Sequence, residues 1–224
     1  MAEQKDWAEA AEQRLLEAAV REAGRLGWNA RLLAAAAKDA GLSAGEAELL
    51  VPSGARDLAA LYSARCDRLA LEALVAVDPN SMKVRERIRS AVLARNAAAM
   101  RSSEATRRWM GFLALPANLA LGLRLAWASA DRLWRWAGDQ AVDENHYSKR
   151  ALLSEILAST LAVEIAAGHE AARRALDRRI SAVMAFEGFK ARWRLADRAQ
   201  GLAERLARLR YGSAPGQDLS SAAD

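Results

Sequence analysis

The chain has 224 residues, 33 Lys and Arg against 28 Asp and Glu, a formal net charge of +5 and 52% apolar residues. Its one cysteine excludes a disulfide framework and a cysteine-based metal site, and no uninterrupted apolar run approaches the roughly 18 residues that argue for a spanning helix. With 13 Gly, 4 Pro and a composition led by Ala, Leu, Arg and Glu, the chain reads as all-α, long enough for one large domain or two small ones.

The positive balance suits an acidic partner, whether nucleic acid, anionic membrane or acidic protein, without choosing among them. The first residues are acidic and have no apolar centre, which points away from a secretory signal or an Arg-rich transit peptide and toward a cytoplasmic protein of a bacterium. The spacing of Trp7, Ala11, Leu15, Ala18 and Ala19 predicts a helix over 7–26, ended by Gly27. Asn29 is placed to cap a second helix running to about residue 38, Gly41 to end it, and Ser43 to cap a third over 44–50. Three helices with the tight turn Ala40-Gly41-Leu42-Ser43 resemble the helix-turn-helix head of TetR-type repressors. A recognition helix needs donors for base edges and positive charge for phosphates. Residues 44–50 supply Glu46 and Glu48 and neither Lys nor Arg. DNA binding through this helix is therefore disfavoured, and the head reads as one kept for its packing.

Pro52-Ser53-Gly54 is a turn with Asp57 as the expected cap of a helix over 58–77, and Asp78-Pro79-Asn80 breaks that helix. The next helix, 81–100, should turn Val84, Ile88, Ala91, Val92 and Arg95 inward and Arg85, Arg87 and Arg89 outward. Ser102-Ser103-Glu104 opens another through residue 114, and Pro116 sits at the first turn of the central helix, 116–137. On that helix Leu119, Leu123, Ala126, Trp127, Ala130, Leu133 and Trp134 form one stripe, while Leu121, Leu125 and Trp136 lie off it. Apolar residues on more than one face mean burial on more than one side. One side must meet the domain's own core, and the other a dimer partner or an apolar ligand. Gly138 and Asp143 then read as the stop and the cap of a tight corner. The helix after it runs antiparallel and is apolar over a wide arc.

A helix over 170–187 follows, then a last one over 189–210. Leu195, Ala199, Leu202, Leu206 and Leu209 line one face of the last helix, Phe189 and Trp193 stand near its start, and Lys190, Arg192, Arg194 and Arg198 crowd the rest. A basic amphipathic helix of this kind can lie in a membrane interface, where each basic residue near an anionic surface adds about 1 kcal/mol. It can equally dock as an ordinary terminal helix. Residues 212–224 are rich in Ser, Ala, Gly and Pro and read as a disordered tail.

No catalytic set emerges. His146 and His169 lack both zinc-type spacing and a Glu-x-x-His pattern. No phosphate-cradling glycine loop and no Gly-x-Ser-x-Gly elbow occurs. Neither enzyme chemistry nor a metal or cofactor is expected, and Cys66 reads as a small buried hydrophobe.

The corner carries the strongest family signal. Ala137-Gly138-Asp139-Gln140, Asp143, Asn145, Tyr147 and Arg150-Ala151, with Leu113-Ala114-Leu115-Pro116 upstream, resemble the signature of the ubiquinone-biosynthesis accessory lipid-binding family with a TetR-like fold. The resemblance is densest from Phe112 to Ile165. Glu144 stands where an aromatic is common and His146 where Trp is usual. The resemblance implies a TetR-repressor-like helical bundle: a helix-turn-helix-like head over 1–55, a ligand-binding and dimerisation domain over 56–187, an amphipathic helix over 188–211 and the tail over 212–224. It implies a non-catalytic homodimer, peripheral on the inner face of the bacterial inner membrane, that binds an isoprenoid quinone precursor or phospholipid and presents it to a ubiquinone-pathway hydroxylase. The lipid-binding residues would then be Phe112, Leu115, Leu119, Leu123, Trp127, Trp134, Leu153, Ile156, Leu157 and Leu161, any of which could instead be plain core. The hydroxylase-facing patch would comprise Asp139, Asp143, Asn145, His146, Tyr147 and Arg150, and the membrane-binding residues Phe189, Lys190, Arg192, Trp193, Leu195 and Leu202. The alternative is a TetR-type regulator with a lipid effector, and a weaker third is a membrane-associated scaffold.

Overall fold

The computed structural model describes residues 2–138 and 144–183. Among these the only regular structure is helical: α1 (Ala2–Leu26), α2 (Ala30–Asp39), α3 (Ala44–Leu50), α4 (Ala55–Ala73), α5 (Val84–Met100), α6 (Ser103–Ala114), α7 (Leu119–Trp136), α8 (Glu144–Ala167) and α9 (169–183), with 3-10 turns at Pro79–Ser81 and Pro116–Asn118. The compact unit these helices build runs from Met1–Arg178, and residues from Arg179 on belong to a second unit. No single helix among the described residues is long and apolar enough to cross a membrane.

Local chemistry sets the element ends. Asn29 caps α2 by accepting from the Arg31 and Leu32 amides at 2.9 and 3.1 Å. Ser43 and Glu46 form a reciprocal capping box on α3, with the Glu46 carboxylate accepting from the Ser43 amide at 2.8 Å. Those bonds from Ser43 hold the Glu46 carboxyl below its ordinary range. Asp57 is not a cap: it lies inside α4, whose N-cap is Gly54, and it reaches back to the Ser53 amide. The helix expected over 58–77 starts and stops earlier, because Leu74 closes it and the chain turns before Asp78.

The core is continuous from the first helix to the eighth. Ala11, Leu15, Ala18, Ala19 and Ala23 bury one face of α1, and Ala36, Ala59, Ala70, Ala98 and Ala99 meet it or its neighbours within the same cluster. Small side chains let these helix axes approach closely. At the tightest place, a Cβ on Gly24 of α1 would lie 2.9 Å from the Glu104 Cβ of α6. Three aromatic rings key the head to the body. Trp28 packs on Tyr62 with ring centroids 5.2 Å apart, and Tyr62 on Trp109 at 5.7 Å. Their polar edges are satisfied, with the Trp28 indole donating to the Ala105 carbonyl and the Trp109 indole to the Ala59 carbonyl, each at 3.0 Å. The Tyr62 hydroxyl lies 2.6 Å from Thr106 Oγ1, and burial pushes its phenol well above the ordinary range. Cys66 is buried in the same core, and burial raises its thiol too.

Two expectations are corrected. Arg87 and Arg89 of α5 do not simply face water. Arg87 donates to the Met82 and Ala137 carbonyls, closing the C-terminal end of α7, and Arg89 makes a two-point ion pair with Asp177. Val84, expected inward, is 53% exposed, and Trp7, at the start of the apolar spacing of α1, is 42% exposed.

Candidate functional site

α6 and the segment Pro116–Trp136 meet at 91° across Leu115-Pro116. The residue before a proline avoids the helical region, and Leu115 is extended there (φ −63°, ψ 138°). The bend carries α7 away from α6, and α8 returns beside it. Between them lies a cavity of about 710 Å³, within the range of small-molecule sites.

Burial grades along this cavity. Its mouth is formed by exposed residues of α6, α7 and α8: Ala114, Leu119, Leu123, Ala151, Glu155 and Ala158. Its walls include Met110, Gly122, Ala126 and Trp127. Its floor is buried: Trp109 and Leu113 of α6, Leu157 and Leu161 of α8, and a polar group from α4, α5 and α7, namely Ser63, Arg95, Asn96 and Ser129. Small residues, Gly122 and Ala126 of α7 and Ala151 and Ala158 of α8, stand along the cavity. Gly122 is held small by its neighbour, since a Cβ there would lie 3.3 Å from Leu113 Cβ.

The polar floor is organised by Asp67, which is 1% exposed. Its Oδ1 accepts from Arg95 Nε at 2.5 Å and from Ser129 Oγ at 2.7 Å, and its Oδ2 from Arg132 Nη1 at 2.7 Å. Arg95, itself buried, also reaches Ser63 Oγ at 3.4 Å. A buried guanidinium is tolerable only when paired in this way.

Of the ten residues expected to touch a lipid, the structure brings five to the cavity: Leu119, Leu123, Trp127, Leu157 and Leu161. The other five lie elsewhere. Phe112 packs partly buried against the core, Leu115 is 52% exposed at the bend, and Leu153 and Ile156 are buried off the cavity. Trp134 belongs to the corner, donating to the Lys149 carbonyl at 3.1 Å beneath the Lys149 ammonium. The residues missed were the floor. Arg95 was placed inward on periodicity, but nothing in the sequence joins Asn96, Trp109 and Ser129, which come together only by the packing of α5, α6 and α7.

At the corner, Gly138 ends α7 with φ +87°. Asp139 and Asp143, and the side chains of Asn145 and His146, lie outside the described residues, as do Phe189, Lys190, Arg192, Trp193, Leu195 and Leu202. Tyr147 is 66% exposed and its ring lies 6.2 Å from that of Trp127. Arg150 corrects the expectation of a surface residue. It is 2% exposed, and its Nε donates to Asp131 Oδ1 at 2.6 Å. It ties α8 to α7 and turns no charge outward, because a carboxylate one helix away draws it in. Among the described residues no group of three His, Cys, Asp or Glu is placed to hold a metal ion.

Residues 119–187, which take in both long helices of the cavity, match the COQ9 family. The chain is 30% identical over 156 residues to the mitochondrial ubiquinone biosynthesis protein COQ9 of Xenopus tropicalis, covering 66% of this chain and 49% of that protein. Mitochondrial COQ9-B of Xenopus laevis is likewise 30% identical over 156 residues, covering 66% and 53%. Mitochondrial COQ9 of Homo sapiens is 40% identical over 53 residues, covering 24% and 17%. The chain thus spans about half the length of the first two relatives. The matched family and these relatives agree with one another, since all are ubiquinone biosynthesis proteins of the COQ9 kind. Residues 119–187 supply the cavity mouth apart from Ala114 and part of its floor, while Ser63, Arg95, Asn96, Trp109 and Leu113 come from helices that precede them.

Proposed function

We propose that this chain is a non-catalytic accessory protein of ubiquinone biosynthesis that shelters an isoprenoid quinone precursor in the α7–α8 cavity and presents it to a membrane-associated ring hydroxylase. The observation that carries the reading is the cavity itself: about 710 Å³, with a mouth formed by exposed Leu119 and Leu123 and walls of Trp, Met, Leu and Ala. Large exposed leucines around an opening favour an apolar occupant or a lipid surface. The names of the relatives support the pathway. Tyr147, exposed beside the wall residue Trp127, is the described member of the hydroxylase-facing patch that is open to solvent. Peripheral attachment to the inner face of the membrane through the basic, amphipathic sequence over 188–211, and a homodimer, complete the proposal.

Native mass spectrometry of the purified full chain tests it. The expected result is a co-purifying prenylated lipid or phospholipid, with uptake of ubiquinone added in detergent. A ligand-free protein that takes up no quinone and has no affinity for anionic vesicles would overturn it. The repressor alternative loses support at α3, where Glu46 is committed to the capping box and no Lys or Arg is present.

A further inference from the structure

The closed end of the cavity holds a guanidinium with a donor to spare. Arg95 is 5% exposed and lines the floor. Its Nε donates to Asp67 and its Nη2 to Ser63 Oγ, the second bond a long one at 3.4 Å. Its Nη1 has no hydrogen-bond partner among the described residues. Nor is Nη1 sealed, for the sealed side-chain atoms left without a partner are Asn96 Nδ2, Thr160 Oγ1 and Glu164 Oε2. Nη1 therefore keeps accessible surface, and the open space beside Arg95 is the cavity.

The charge at this end is out of balance in the same direction. Asp67 is one carboxylate shared by two guanidiniums, its Oδ1 accepting from Arg95 and its Oδ2 from Arg132. The three side chains together carry one net positive charge. The Arg132 side chain is 46% exposed and has water to serve it, whereas Arg95 opens only on the cavity. A buried charge needs a counter-charge and a full set of hydrogen bonds. The serines around the cavity are engaged elsewhere, Ser129 with Asp67, Ser154 with the Arg150 carbonyl and Ser159 with the Ile156 carbonyl. Glu155, the other charged residue lining the cavity among the described residues, is exposed at the mouth.

We infer that Arg95 is the head-group residue of the cavity, donating through Nη1 to the carboxylate of a long-chain amphiphile that enters head first and leaves its apolar tail at the Leu119–Leu123 mouth. A carboxylate fits on two counts. It is a terminal group and can stand at a closed end, where a phosphodiester would have to drive its second arm into the floor. It also carries one negative charge, which matches the one positive charge left over, and a hydrogen bond between two ionised groups is about twice as strong as a neutral one. This rests on the carrier function proposed above and narrows its cargo to an amphiphile that bears a carboxyl group.

The test uses the full chain and isothermal titration calorimetry with three probes: decanoate, 1-decanol and a decyl-substituted benzoquinone. The unaltered protein should bind decanoate about tenfold more tightly than decanol. Arg95→Lys keeps a charge beside Asp67 but has no second nitrogen to offer, so its affinity for decanoate should fall to that for decanol, with decanol unchanged. Arg132→Gln lies outside the cavity and leaves Asp67 to Arg95 alone, so decanoate should weaken about threefold and decanol not at all. In the unaltered protein the carboxyl carbon-13 signal of bound decanoate should titrate at lower pH than that of the free acid, because a facing guanidinium favours the ionised form. A merely structural role for Arg95 would move neither the decanoate-to-decanol ratio nor that titration. Equal binding of decanoate and decanol by the unaltered protein, or a preference for decanoate that survives Arg95→Lys, would overturn the assignment and leave the carrier function standing. An unchanged ratio in Arg132→Gln would overturn the charge balance on which the choice of a carboxylate rests. Binding of decanoate without the quinone would uphold the assignment and remove a quinone ring as the cargo. Failure of the unaltered chain to bind any of the three would overturn the carrier function and the assignment together.

Discussion

The α1–α4–α6 side of this molecule and the α6–α7–α8 side are built from the same residue types, yet one is solid and the other hollow. On the first side Ala11, Ala18, Ala19, Ala23 and Gly24 let helices close on one another, and Trp28, Tyr62 and Trp109 fill what remains. On the second side Ala126, Ala151 and Ala158 are just as small but line open space, and α7 closes on α6 only at Gly122, beside the 91° bend at Leu115-Pro116. Small residues therefore do not by themselves make a close contact or a cavity. What decides is whether the backbone is free to collapse onto them.

The largest effect should come from the network that braces the open side. Asp67→Ala leaves the buried Arg95 uncompensated and frees Ser129 and Arg132, so urea unfolding should report a loss of about 3–5 kcal/mol. A loss below about 1 kcal/mol would show that the hollow side does not depend on its polar floor. Next is the solid side. Gly24→Val must displace α1 from α6, since even a Cβ falls 2.9 Å from Glu104 Cβ, and overpacking of this kind costs about 1–3 kcal/mol. The same manoeuvre on the open side should behave oppositely. Ala126→Leu projects into the cavity, so thermal stability should stay within about 1 kcal/mol of the parent, while affinity for a decyl-substituted benzoquinone drops about tenfold. Equal destabilisation by the two substitutions would erase the distinction between the sides.

The smallest effect concerns the Arg89–Asp177 ion pair, far from either packing problem. The hydrogen bond from Arg89 lowers the Asp177 carboxyl below its ordinary 3.8, so the pair contributes stability above that pH and loses it as pH falls through the lowered value. Both groups are substantially exposed, which limits the contribution to about 0.5 kcal/mol. Asp177→Asn should therefore melt slightly earlier than the parent at pH 7 and together with it once the pH lies below the lowered value. A difference that persists at the low pH would assign the effect to something other than the charge.

Much of the helical framework was legible in the chain because its signals are local. Asn29, Ser43, Gly41 and Gly138 mark ends through bonds and dihedrals that involve only near neighbours, and the apolar spacing of α1 needs no partner to be read. The candidate site was half legible. Leu119, Leu123 and Trp127 share a helical stripe, and that stripe does line the cavity. Leu153 and Ile156 have the same spacing but turn into the core, and periodicity cannot say which of two apolar faces meets a solid neighbour. Arg150 looked like a surface cation because nothing nearby in sequence announces Asp131, 19 residues earlier, as its partner.

By itself, then, the sequence determined the all-helical class, the capped corners and the apolar arcs of the two long helices, since each depends on interactions a few residues long. Only the tertiary structure decided that the space between those arcs stays open, that Ser63, Arg95 and Ser129 close its far end, and that Asp67 holds Arg95 and Ser129 there from behind. Those facts depend on where three separate helices cross, and a crossing is set by the shapes of all the side chains packed around it rather than by the spacing along any one of them.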